Sequence, residues 1–132
     1  MELQYKSNSV NFIGEISSLK FKRISATIAD LTGATATATN IIPDGAIVFG
    51  VTAQITTAPT GASTFSIGDG SDADKWGAGL GVAVGVKNAS SDYTAGSPTH
   101  YSSDTSVVLT GDIAFVGGVA NVEVLYATIE KN

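Results

Sequence analysis

Apolar and polar residues alternate with a period of two through most of the chain. The clearest run is Ala46 to Thr57, where Ile47, Phe49, Val51, Ala53 and Ile55 fall on one face and Val48, Gly50, Thr52, Gln54 and Thr56 on the other. Successive side chains of a strand point to opposite faces, so this pattern predicts a half-buried antiparallel strand. A helix would scatter the same apolar residues around its circumference. Equivalent alternation marks Ile24, Ala26 and Ile28; Phe65 and Ile67; Val107 and Leu109; and Val122, Val124 and Tyr126.

The turns between these segments carry their own chemistry. Pro43-Asp44-Gly45 closes a short strand read at Thr35 to Ile42, and Pro59-Thr60-Gly61 separates two further strands. Gly117-Gly118 predicts a tight hairpin between Ile113–Val116 and Val119–Ile129. About eight short strands punctuated by turns indicate an all-β, antiparallel β-sandwich. A jelly-roll-like arrangement is favoured and an immunoglobulin-like sandwich is second. Met1 to Ser17 lack periodicity and read as an N-terminal arm (1–17) ahead of one sandwich domain (18–132).

The stretch from Gly77 to Val86 is different. As a single strand it places Ala78, Leu80, Val82, Val84 and Val86 on one face and Gly77, Gly79, Gly81, Ala83 and Gly85 on the other. Glycine inside a strand often marks close approach of another backbone. Either this is a bend or packed sheet corner, or Gly77, Gly79 and Gly81, with Trp76 beside them, form a flat face against which another subunit packs. A lone tryptophan is equally a packing anchor or an interface hot spot.

Composition narrows the function. The 132 residues include no cysteine, so disulfides and thiolate metal sites are excluded. Seven basic and twelve acidic side chains leave a net charge of −5, and nucleic acid is not an expected partner. Lys20, Lys22 and Arg23 are the one local basic group, expected on the solvent-facing half of a strand with Leu19 and Phe21 on the other. No window is long and apolar enough for a membrane helix, so no membrane partner is expected. The opening residues lack the layout of a signal peptide, which makes the cytoplasm the expected place of synthesis.

Candidate chemistry is sparse. His100 is the single histidine, in His100-Tyr101-Ser102-Ser103-Asp104, and no nucleophile-elbow motif accompanies it. The glycine run fails the dinucleotide fingerprint and has no phosphate-loop ending. Asp69, Asp72 and Asp74 could hold calcium through hard oxygen ligands, but their spacing is not that of an EF-hand, and a solvated Asp/Gly turn is the plainer reading. No enzyme activity, cofactor or metal is expected.

The run ATATATNIIPDGAIVFGVTAQITTAPTGASTFSIGDGSDADKWG, Ala34 to Gly77, carries further motifs: Ile42, Pro43, Gly45, Ala46, Val48, Gly50 and Val51, then Thr56, Thr57, Ala58, Thr60, Gly61 and Ala62. Gly68, Asp69, Gly70, Asp72, Asp74, Trp76 and Gly77 follow as a turn, and Val107 to Thr110 and Val122 to Tyr126 complete the pattern. In these residues the chain resembles a domain of virion structural proteins from tailed phages and gene-transfer particles. The resemblance implies a bacteriophage capsid decoration (cement) protein on the capsid surface of the virion. Its expected partners are the major capsid protein and copies of itself, as a homotrimer. The alternative is a head-fibre, spike or tail-associated module that binds a host surface or glycan, favoured if Trp76, Tyr93, His100 and Tyr101 line one rim.

Overall fold

The computed structural model describes residues 17–87 and 98–131. The expected arm, up to residue 16, and Tyr93 lie outside the described residues. Among the described residues, nine strands and no helix occur: β1 (Ser17–Ile28), β2 (Thr32–Ile42), β3 (Ile47–Thr57), β4 (Thr64–Gly68), β5 (Gly77–Gly81), β6 (Gly85–Lys87), β7 (Thr99–His100), β8 (Thr105–Val116) and β9 (Val119–Lys131).

They form two antiparallel sheets. One runs in the order β1-β9-β3-β6, with β7 also pairing β3, and the other β2-β8-β4-β5. Strands next to each other in sequence, β1 and β2, β2 and β3, β8 and β9, lie in opposite sheets, which fits the jelly-roll-like reading of the sandwich. Between the sheets, Val51, Ala53, Ile55, Val122 and Val124 of one meet Ala36, Ala38, Phe65, Ile67, Val107 and Leu109 of the other. No polar or charged residue is buried among the described residues, so apolar area removed from water, at about 25 cal/mol per Å², holds the layers together. Phe65 and Phe115 meet edge-on with ring centroids 6.4 Å apart.

Three sequence expectations need correction. The alternation in β3 is broken by a bulge: Val48 pairs with Tyr126, but Gly50, two residues on, pairs with Leu125. Phe49 is the extra residue, so Val48 turns inward with Val51, Ala53 and Ile55, and Phe49 is carried toward the outer face. There its ring meets Phe21 at 5.4 Å.

Gly117-Gly118 does not close a hairpin, because β8 and β9 belong to different sheets. Both glycines have positive φ, 72° and 105°, and the Gly118 carbonyl accepts a hydrogen bond from Leu31 N–H at 3.0 Å. A Cβ at Gly118 would sit 2.8 Å from the Pro59 nitrogen, so the pair serves a corner where three chain segments crowd together.

The single strand read at Gly77 to Val86 is two strands in opposite sheets. β5 pairs with β4, whereas β6 pairs with β3. Gly79 (φ 66°) and Gly85 (φ 144°) adopt backbone conformations closed to most residues, which breaks the extended run.

Candidate functional site

The Asp/Gly turn between β4 and β5 is built on its own hydrogen bonds. Oδ1 of Asp69 accepts from the N–H groups of Ser71 at 3.0 Å and Asp72 at 2.8 Å. Asp69 N–H donates to the Asp72 carbonyl at 3.1 Å, and Asp74 N–H donates to Oδ1 of Asp72 at 3.3 Å. This is the Asx chemistry that makes aspartate a turn residue. The turn then folds back so that Trp76 N–H donates to the Ile67 carbonyl at 2.9 Å.

That return buries Trp76, which packs against Tyr101 with ring centroids 6.3 Å apart. The Tyr101 hydroxyl donates to Oδ2 of Asp69 at 2.7 Å. Burial pushes the Asp69 carboxyl up, but the Asp72 N–H, the Tyr101 hydroxyl and the Ser71 N–H outweigh it and hold the group below its ordinary value. Burial, then the hydrogen bond to Asp69 and its charge, push Tyr101 well above the usual phenol range. Both Asp69 oxygens are therefore engaged within the protein. No three His, Cys, Asp or Glu side chains converge on a metal geometry among the described residues.

The remaining sequence candidates are scattered. His100 is exposed on β7, while the Asp104 carboxylate accepts from Asp44 N–H at 2.9 Å and ties two loops together. Trp76 is a core residue of the chain and Tyr101 is half-buried, so the aromatic rim imagined for a glycan is not assembled by them. Gly77 is buried, whereas a Cβ at Gly79 or Gly81 would meet nothing within 4 Å, leaving that edge open in the single chain.

The outer face of the β1-β9-β3-β6 sheet was not singled out by the sequence. One half is a concavity lined mostly by polar residues, Ser25, Thr27, Thr52, Gln54, Asn121 and Glu123, with Ala26 and Val86 beside them. The hydroxyl of Thr27 donates to Oδ1 of Asn121 at 2.6 Å, and Arg23 lies 3.8 Å from Glu123. The other half is apolar. Leu19 and Phe21, expected to face inward, point out with Arg23, and it is Lys20 and Lys22 that share the core-side parity of Ile24.

No known family model matches the chain, and no curated protein does. Its fold has counterparts among solved structures. A chain of the capsid asymmetric unit of cyanophage Pam1 superposes with a TM-score of 0.58 and 22% identity, covering 95% of this chain and 96% of that one. A chain of the acidic stable capsid structure of Helicobacter pylori bacteriophage KHP30 does so with a TM-score of 0.58 and 16% identity, covering 90% and 97%. The sandwich is thus shared over nearly the full length of both.

Proposed function

We propose that the chain is a structural protein of a bacteriophage particle, seated on the capsid surface, where it decorates and cements the assembled head. The observation that carries this reading is the end-to-end likeness of fold to chains of two phage capsids. No enzyme activity is part of this reading.

The physics is mass action. A protein that binds the assembled shell and not its separate subunits stabilises assembly by RT ln(1 + [L]/Kd), about 2.7 kcal/mol at a hundredfold excess over Kd. Self-association as a trimer would match threefold positions of a shell. The test is thermal and osmotic disruption of heads with and without the purified chain. Added chain is expected to raise the disruption temperature. Heads equally fragile in its presence contradict the cement role.

A further inference from the structure

The polar half of the outer β1-β9-β3-β6 face is laid out in register. Ser25, Glu123 and Thr52 are neighbours across β1, β9 and β3. Thr27, Asn121 and Gln54 form the next row on the same face, with Val86 of β6 opposite Gln54. Rows two residues apart lie about 6.8 Å from each other along the strands, and neighbouring strands about 4.8 Å apart. With Ala26, these residues enclose a concavity of about 440 Å³. Sites for small molecules run from about 300 to 1,000 Å³.

The bonding capacity of this floor is largely unspent. The Thr27 hydroxyl donates to Oδ1 of Asn121 at 2.6 Å, which orients that amide and leaves its two N–H donors for another partner. Glu123, two residues on along β9, offers acceptors beside them, and Arg23 at 3.8 Å offsets its charge. Among the described residues, Ser25, Thr52 and Gln54 have no side-chain hydrogen-bond partner. Donors and acceptors therefore alternate at fixed points on paired strands, with little net charge. We infer that this concavity binds an uncharged carbohydrate, a glycan of neutral sugars. The inference goes beyond the decoration reading and does not depend on it.

The chemistry of the lining selects the ligand. A sugar hydroxyl both donates and accepts, and hydroxyl, amide and carboxylate groups are its complements. A phosphate or nucleic acid needs cations to spare, and Arg23 at the rim already faces Glu123. A calcium ion needs several oxygen ligands with more than one carboxylate, and Glu123 is the one carboxylate among the described lining residues. A peptide strand binds by adding to a free sheet edge, whereas β9 and β3 are each paired on both sides here. Ala26 and Val86 give the ring carbons of a sugar an apolar contact at the margin. No aromatic side chain lies among the described lining residues, so hydrogen bonds carry the binding and a single site is weak.

The test is retention of the full chain on a printed array of neutral hexose and N-acetylhexosamine oligosaccharides, with sialylated and sulfated counterparts alongside. The chain is biotinylated and displayed on streptavidin, so that several weak sites act together. Wild type is expected to be retained by neutral glycans. Gln54→Ala with Asn121→Ala is expected to weaken that retention by about 10-fold or more, and Gln54→Ala alone by less. Ser102→Ala, exposed on the segment after β7, retains wild-type binding. Circular dichroism checks each fold, and Gln54→Ala alone decides if the double variant misfolds, since that side chain is exposed. An array that retains no glycan, or equal retention by wild type and the folded variants, would overturn the site. Retention by the acidic glycans alone would show that the ligand class is wrong.

Discussion

Tyr101 and Asp69, 32 residues apart, meet through a 2.7 Å hydrogen bond from the phenol to Oδ2 of the carboxylate. The bond joins the turn after β4 to the segment between β7 and β8, with Trp76 packed beside Tyr101. Tyr101 is fixed in turn, since its N–H donates to the Ala46 carbonyl at 2.9 Å and its carbonyl accepts from Gly45 N–H at 2.8 Å. Replacing Tyr101 by Phe keeps the ring and removes the donor. The expected loss is about 1.5–3 kcal/mol, in the range for a hydrogen bond to a charged group, read from urea unfolding. A stability equal to wild type would show that solvent replaces the phenol without cost.

Gly68 is required by space rather than by φ. A Cβ there would overlap the carbonyl oxygen of Asp72. Gly68→Ala must push the Asp69–Asp72 turn away, and a loss of about 2 kcal/mol or more is expected, with Trp76 fluorescence shifting to the red as its cover loosens. An unshifted spectrum and unchanged midpoint would contradict the crowding.

Gly81 provides the contrast, because a Cβ there meets nothing. Gly81→Val should leave the stability of an isolated chain within about 0.5 kcal/mol of wild type. The same substitution reports on subunit packing. If light scattering shows the oligomeric state unchanged as well, no neighbour approaches β5 closely, and the flat-face reading of Gly77, Gly79 and Gly81 is excluded.

Acid stability follows from two carboxylates. Asp69 is held below its ordinary value of 3.8, and so is Asp112, which accepts from the Ser63 N–H and hydroxyl and from Thr64 N–H. A depressed carboxyl contributes stability that is full above the unfolded value and lost as pH falls through the folded one. Unfolding free energy should therefore hold from neutral pH to about pH 4 and decline below it. Tyr101 has the opposite sign: its raised value contributes stability that is complete below about pH 10 and declines above it. Asp69→Asn should flatten the acid limb, and an unchanged limb would assign that loss to other groups.

Strand positions were legible because alternation is a local signal: Phe65 and Ile67, Val107 and Leu109, and Val122 and Val124 are buried as their spacing predicts. Pro43-Asp44-Gly45 likewise forms its turn, with Ala46 N–H donating to the Pro43 carbonyl at 3.1 Å. Partners between distant segments were not legible. Gly117-Gly118 has hairpin chemistry, yet which sheet the next strand joins depends on β1 and β3, the strands that β9 pairs with. The β3 bulge was hidden because Ile47, Phe49 and Val51 keep an unbroken alternation that the backbone does not follow. The turn aspartates looked like ligands because nothing local announces Tyr101 as the partner of Asp69. Lys20 and Lys22 were read as solvent-facing, and their exposure hid that Leu19 and Phe21 are exposed too.

The most direct test of the decoration reading is the mass gained by assembled heads, stripped of the chain, when the purified protein is added back. The account predicts saturable binding at a fixed number of copies per head and none to unassembled shell subunits. Heads that gain no mass, or equal binding to free subunits, would contradict it.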